Sequence, residues 1–280
     1  MAVRKYSLAE RGVSEAIGFM LIFSIMIAGI GLVTLYGYPT LIQQQSSANE
    51  RIMEKNMIVL QNDVKSLAYK TVPYKESSLK VEGGSLTVYN ASSTPAVFTM
   101  DITNNCGSPT TYYVGAFRSG DLRYSSDSAD TDISLQNGAV VKRQHAESGS
   151  AMLAEPRWFY DNKTNTMVIN LIGFNSTTSM SRAGIGTVQT AMGATNYTYV
   201  NIPAGNSLCV NYTSDTTLNG QDYSVAWDNY FMKTLNNAPD ITVYSRTGTP
   251  GNGGSLKYTL TVLNPMTLVI KKYDMVIKSL

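Results

Sequence analysis

The chain has 280 residues, enough for one or two domains with a substantial core. Only 15% of the residues are charged and the formal net charge is +2, without the excess of Lys and Arg that nucleic-acid binding requires. We therefore expect no nucleic-acid partner. Outside the N-terminal segment the chain is rich in Ser, Thr, Asn, Gly and Tyr. This composition favours β-strands joined by polar turns and is common in secreted surface proteins.

The N-terminal segment joins a short polar leader, MAVRKYSLAERG, to a long apolar run. No charged residue lies between Glu15 and Glu50. As a helix, Ala16 to Tyr36 would measure about 31 Å, the thickness of the hydrocarbon core of a bilayer. The run is too long for the apolar part of a secretory signal peptide, and no small-residue cleavage site follows it. We predict a transmembrane helix; the alternative, a buried helix of a soluble protein, rarely lacks charge for so long.

Charge placement gives this helix an orientation. Basic residues cluster before the span, whereas the first charges after it are mixed in sign. The positive-inside rule then puts the N-terminus in the cytoplasm and everything after about residue 40 outside the cell. Tyr36 and Tyr38 fall where an outer interfacial belt of aromatic residues is expected.

The junction between leader and apolar run has a distinctive sequence, RGVSEAIG at positions 11–18. It resembles the class III signal peptide of archaeal type IV pilins. The resemblance implies that a prepilin peptidase cleaves between Gly12 and Val13 at the cytoplasmic face and leaves the apolar helix on the mature protein. Arg11 and Ser14 would take part in recognition. A glycine at the cut allows close approach by the enzyme.

Glu15 has two interpretations. In bacterial pilins a glutamate at the fifth mature position neutralises the terminal amine of a neighbouring subunit, and Glu15 would be the third mature residue here. Alternatively, its carboxylate lies at the membrane edge and reaches into headgroup water.

Beyond the membrane, the helical pattern continues to Lys70 and the sequence then takes the period of strands. Pro39 predicts a kink, because it lacks an N–H donor and clashes with the preceding turn. The second half is amphipathic, with the following apolar positions on or near one face: Leu41, Ala48, Ile52, Met57, Leu60, Val64 and Leu67.

The remaining segments predict strands with few helices. We expect hairpins around Gly83-Gly84 and at Asp161 to Thr164, a short helix in AWDNYFMKTLNN, and a surface loop from Ser119 to Asp132. The expected fold class is α+β, with a long N-terminal hydrophobic helix followed by a mainly antiparallel β head domain, a sandwich or a barrel. The domains are a leader (1–12), a transmembrane and filament-core helix (13–70) and an extracellular β-rich head (71–280).

The two cysteines, Cys106 and Cys209, are far apart in sequence, and no other Cys or His clusters with them, which disfavours a zinc site. In an oxidising extracellular setting a disulfide between them would stabilise the fold, and two separate buried thiols are the alternative. Five sequons make an exported glycoprotein plausible. Their asparagines are Asn90, Asn162, Asn175, Asn196 and Asn211.

Nothing in the sequence favours catalysis, a metal or a cofactor. The acidic stretch with Asp127, Asp130 and Asp132 lacks the spacing of a calcium loop and reads as solvated. His145, the single histidine, has no catalytic motif around it. The Trp158-Phe159-Tyr160 cluster fits either strand-core packing or an adhesive surface.

Together these features, with the resemblance, predict a structural protein and not an enzyme: a major or minor pilin of an archaeal type IV pilus-like filament. Its partners would be the membrane, prepilin peptidase and other pilin subunits, and it would lie in the cell membrane and in extracellular filaments. One alternative is a permanently anchored extracellular binding or adhesion protein with an uncleaved helix. A membrane-anchored enzyme is the other.

Overall fold

The computed structural model describes residues 7–70, 72–92, 98–104, 106, 111–145, 147, 149–214, 222–236, 241–251 and 253–280, with the backbone alone at 7–14, 236 and 242–244. The chain forms two compact units, Met1–Ala48 and Asn49–Leu280. The first is entirely helical where it is described, and the second contains all the described strands. The structure confirms the α+β prediction.

The helical segment runs from Ser7 to Lys70 as α1 (Ser7–Leu32), a π-helical turn (Val33–Gly37) and α2 (Tyr38–Lys70). The Tyr38 amide donates to the carbonyl of Val33, five residues back. Pro39 follows at once, and a widened turn is a common way for a helix to accommodate a residue that lacks an amide donor. The interruption at Pro39 is thus a widened turn, and the helix resumes immediately after it.

Among the described residues of the second unit, fourteen strands form two sheets. Their bounds are β1 Tyr74–Tyr89, β2 Thr99–Thr103, β3 Tyr112–Arg118, β4 Asp121–Ser126, β5 Thr131–Gln136, β6 Ala139–Gln144, β7 Ser150–Ala154, β8 Phe159–Asp161, β9 Thr166–Ser176, β10 Met180–Ile202, β11 Ser207–Ser214, β12 Ile241–Thr247, β13 Gly254–Val262 and β14 Met266–Ser279. A nine-stranded sheet has the order β7-β6-β5-β4-β1-β10-β14-β9-β8, and a five-stranded sheet the order β12-β13-β11-β2-β3. Among the described pairs, β14 with β9 is parallel and the rest are antiparallel.

The large sheet has a hydrophobic core on each face. On one face, the second half of α2 packs on β1, β4, β5 and the ends of β9 and β14. On the other, the small sheet and the helix α3 (Ser224–Asn236) enclose an aromatic cluster around Trp227 and Phe231, whose ring centroids are 5.4 Å apart. Both faces of β9 are buried, with Leu171 in the second core and Ile172 in the first. This burial on two sides explains the continuous apolar run of β9.

Two of the local predictions are confirmed. Residues Phe159 to Asp161 pair antiparallel with Thr166 to Val168 across a turn, as expected for the hairpin at Asp161 to Thr164. The short helix is α3.

The hairpin expected at Gly83-Gly84 is wrong, because β1 passes straight through these residues. The register shifts between Val81 and Leu86, where β1 begins to pair with β4 as well as β10. Gly83 takes a positive φ of 68°, and a Cβ on Gly84 would lie 2.2 Å from the Ser125 carbonyl oxygen. The glycines therefore permit a bulge and a close strand approach in place of a reversal.

The surface loop expected from Ser119 to Asp132 is also wrong, because most of it is buried strand. Leu122 and Tyr124 of β4 face the core beneath α2. On the opposite face, Arg123 Nη2 pairs with Asp121 Oδ2 at 2.9 Å, and both side chains are 1% exposed. Mutual neutralisation allows these charges to be buried, so polarity misled the sequence-based expectation.

Candidate functional site

The apolar side chains of the helical unit are exposed along most of its length. From Glu15 to Gln45 almost every side chain is exposed, including Phe19 (71%) and Leu35 (70%). By length and composition the helix is able to cross a membrane: its best window has a mean hydropathy of 2.5 and is 0% buried. So large an apolar surface requires lipid or another apolar surface against it.

Hydroxyl groups within this helix are satisfied by the helix itself. The side chains of Ser24, Thr34 and Thr40 donate to carbonyl oxygens four residues earlier, at 2.7, 2.9 and 2.7 Å. These bonds remove the cost of placing hydroxyls in an apolar environment, and the bond from Thr40 caps the Tyr36 carbonyl inside the widened turn.

The residues of the class III signal lie at the start of this helix. The backbone of Arg11, Gly12, Val13 and Ser14 belongs to α1, and their side chains lie outside the described part of the chain. Glu15 is exposed. The cleavage and recognition roles of these residues therefore stay predictions.

The amphipathic half of α2 packs through a seam displaced from the predicted one. Met57, Leu60, Val64 and Leu67 are buried as expected, whereas Ile52 is 47% and Leu41 61% exposed. The seam begins instead at Met53, 1% exposed. Its alternating spacings of four and three residues keep one narrow stripe on the sheet.

Polar contacts fasten the same half-helix to the β domain. Gln61 Nε2 donates to the carbonyls of Gly138 (2.7 Å) and Glu155 (3.0 Å). Lys142 on β6 forms ion pairs with Glu50 and Glu54, each at 2.7 Å. Hydrogen bonds directed at fixed carbonyls set the position of the helix along its axis, which apolar packing alone does not.

The structure joins Cys106 and Cys209 in a disulfide that spans 103 residues of sequence, with the Cα atoms 5.4 Å apart. Cys209 is buried in β11 opposite Thr103 of β2. The covalent link therefore ties the segment that follows β2 to the central strand of the small sheet.

The five sequons differ in the accessibility of the asparagine. Asn162, in the β8–β9 turn, and Asn196, on β10, are exposed. Asn211 lies in β11 between β13 and β2, and its Nδ2 donates to Asp101 Oδ2 at 3.0 Å. Asn90 and Asn175 are half-buried, and Asn90 Oδ1 accepts from the Ser176 amide and hydroxyl at 2.6 and 2.8 Å. Only Asn162 and Asn196 combine exposure with an amide free of described hydrogen bonds.

The remaining chemical candidates do not converge on a reactive centre. Asp132, expected in a solvated acidic stretch, is 1% exposed and its Oδ2 lies 2.7 Å from His145 Nε2. Within the described residues no three Cys, His, Asp or Glu side chains are grouped to hold a metal. Trp158 packs in the core, as one of the two interpretations expected, and Phe159 is 42% exposed.

Comparisons with known proteins identify a family whose function is unknown. No curated protein and no solved structure matches the chain. The sequence profile of a family of unknown function, DUF7289, matches residues 11–249, which include the apolar helix and most of the β domain. The chain belongs to that family.

Proposed function

We propose that this protein is a structural subunit, not an enzyme, of an archaeal type IV pilus-like surface filament. The RGVSEAIG junction supports this proposal, because it resembles a class III signal peptide. Prepilin peptidase would cut between Gly12 and Val13, and the mature helix would assemble with helices of other pilin subunits. Before assembly the subunit is held in the cell membrane, with its N-terminus in the cytoplasm and its β domain outside.

One observation carries the proposal: the apolar helix continues without a flexible linker into the half-helix that packs on the β domain. Thr40 and Met57 belong to the same helix α2. A protein that is only anchored needs a membrane span, and a flexible tether between that span and the outer domain would be sufficient. In a filament subunit, one continuous helix can contribute its apolar part to helix packing and its amphipathic part to the β domain.

The composition of the helix supports packing among helices. Gly18, Gly29 and Gly31 have open space where a Cβ would lie, with no atom within 4 Å apart from neighbouring residues and the helix's own backbone. Small residues of this kind allow helix backbones to approach closely in an apolar environment.

The mass of the mature chain tests the proposal. The protein is co-expressed with an archaeal prepilin peptidase, purified from membranes, and measured intact. We expect a chain that begins at Val13. An intact mass that still includes the leader, residues 1–12, would overturn the proposal. It would favour a permanently anchored binding or adhesion protein.

A matched pair of variants locates the cut. Gly12→Val should block processing, because the bulky side chain hinders approach to the scissile bond. Gly29→Val places the same side chain in open space within the span and should be processed normally. Normal processing of Gly12→Val would contradict the assigned cut site.

A further inference from the structure

A pocket of about 320 Å³ opens in the β domain beside the C-terminal end of α2. It lies where the helix ends and the strands of the large sheet continue. Its lining comes from α2, the segment at β8, and strands β9, β10 and β14, and includes Tyr69, Arg157, Phe159, Tyr197, Lys271 and Tyr273. The lining residues that the structure describes carry two cations and four aromatic rings, and none of them is a carboxylate.

The cations are held against the rings. Arg157 Cζ lies 5.0 Å from the centroid of Tyr69 and 5.9 Å from that of Phe159. Lys271 Nζ lies 6.0 Å from the centroid of Tyr197. Neither cation forms an ion pair with a carboxylate in the described part of the chain. Their charges are therefore available to an anion that enters the pocket.

Hydrogen bonds fix the wall that carries Arg157. Asn170 Nδ2 donates to the carbonyl of Arg157, and Trp158 Nε1 donates to the carbonyl of Asn170 at 2.8 Å. The Arg157 carbonyl and the neighbouring Trp158 indole are thus both bonded to Asn170 of β9, whereas the Arg157 side chain is exposed. A wall fixed in advance reduces the entropy lost when a ligand binds.

The aromatic rings offer a flat surface at the mouth. Phe159 is 42% and Tyr197 52% exposed, whereas Tyr273 lies beneath them, edge-on to Tyr69 at 5.7 Å and to Tyr197 at 6.3 Å. The Tyr69 hydroxyl is buried without a hydrogen-bond partner among the described groups. Burial raises the pKa of Tyr69 and raises that of Tyr273 to about 12, so both remain neutral donors at neutral pH.

We propose that this pocket binds an acidic sugar residue, a pyranose that carries a carboxylate, as in a uronic acid. The carboxylate pairs with Arg157 and Lys271, and the C–H face of the ring packs on the exposed aromatic side chains. A small inorganic anion would use the cations and leave the aromatic faces uncovered. A neutral sugar would leave both cations unpaired.

Ligand-observed NMR titration of the full chain tests this proposal. The chain is kept in solution with a polyoxyethylene ether detergent, because the sugar headgroup of a glycoside detergent would compete for the pocket. The probes are methyl β-glucuronide, methyl β-glucoside and inorganic phosphate. We expect saturable binding of the glucuronide, with an affinity about tenfold above that of either other probe, since each loses a charge-assisted bond or the ring contact.

Substitutions of pocket residues test whether the glucuronide binds in this pocket. Lys271→Gln and Arg157→Gln should each weaken glucuronide binding by about tenfold. Lys272→Gln is the matched control on the same strand, since Lys272 Nζ lies on another surface, over Phe117 at 5.6 Å, and it should bind normally. Phe159→Leu should weaken glucuronide binding and leave phosphate binding unchanged.

Several results would overturn the proposal. They are an absence of glucuronide binding, equal affinities for glucuronide and glucoside, phosphate binding as tight as glucuronide binding, and equal effects of Lys271→Gln and Lys272→Gln. Thermal unfolding of each variant shows whether it is folded, and a conservative Lys271→Arg variant, which keeps the charge, should retain binding.

Discussion

The Gln61 side chain donates from α2 to the Gly138 carbonyl, at the turn between β5 and β6, over 2.7 Å. Gln61 is 1% exposed and also donates to the Glu155 carbonyl. Both acceptors belong to main-chain segments outside the helix. A single buried amide thus joins the half-helix to two separate parts of the β domain.

Gln61→Leu keeps the volume of the side chain and removes both hydrogen bonds. We expect the free energy of unfolding to fall by about 1–3 kcal/mol, because the buried bond to the Gly138 carbonyl is lost. The Glu155 carbonyl keeps the Lys65 ammonium as a donor at 2.9 Å. Denaturant titration of the full chain in detergent measures it. Asn62→Leu, at the next, exposed position, should change stability by less than about 0.5 kcal/mol. Equal effects of the two substitutions would contradict the role given to Gln61.

The disulfide between Cys106 and Cys209 should contribute strongly to stability, since it closes a long loop in the unfolded chain. Replacing both cysteines with serine should lower the free energy of unfolding by about 2–5 kcal/mol. A reducing agent should destabilise the natural chain by a similar amount and leave the double variant unchanged. Insensitivity of the natural chain to full reduction, checked by thiol labelling, would contradict this prediction.

Asp222 should give the protein an acid-sensitive contribution to stability. Burial acts to raise its pKa, but the Ser224 hydroxyl and the amides of Ser224 and Gly253 outweigh burial and leave the pKa below its usual value. The two amides lie 2.8 Å from its carboxylate oxygens. A lowered folded-state pKa stabilises the fold above the unfolded value of about 3.9, and this contribution is lost as the pH falls through the folded value.

Asp222→Asn should therefore reduce stability at pH 7 and flatten its decline below about pH 4. Unfolding free energies at a series of pH values measure the effect, with the exposed Asp127→Asn as control. A decline as steep in Asp222→Asn as in the natural chain would rule out this carboxylate as its source.

The proposed location of the β domain outside the cell predicts glycans at the exposed sequons. We expect modification at Asn162 and Asn196 and none at Asn211, whose amide is bonded to Asp101 between two paired strands. Glycopeptide mass spectrometry of protein from the surface of its own cells identifies the sites. Modification of Asn211, with Asn162 and Asn196 unmodified, would contradict the accessibility argument.

The sequence predicted those features that depend on local pattern. The β8–β9 hairpin follows from alternating residues around the polar turn that begins at Asp161, and α3 from its helical spacing. Gly83-Gly84 has the composition of a turn, yet its positions become a bulge because strands β4 and β10, distant in sequence, pair with both flanks. Local composition does not encode such pairings.

The pocket beside the C-terminal end of α2 was beyond sequence reasoning for the same physical reason. Tyr69, Arg157, Tyr197 and Lys271 come from four separated segments. The parallel pairing of β14 with β9 and the antiparallel pairing with β10 bring these segments together. The only signal in the sequence was the aromatic run at Trp158-Phe159-Tyr160, which did not separate the buried indole from the exposed Phe159 ring.

The most direct test of filament assembly is photo-crosslinking from position 35, where the natural Leu35 side chain is 70% exposed. Leu35→p-benzoylphenylalanine places a photoreactive group on the apolar helix, and intact cells are irradiated. We predict a ladder of covalent oligomers that disappears when Gly12→Val is added to block processing. A chain that crosslinks only to lipid and stays monomeric, although correctly processed, would contradict assembly through this helix.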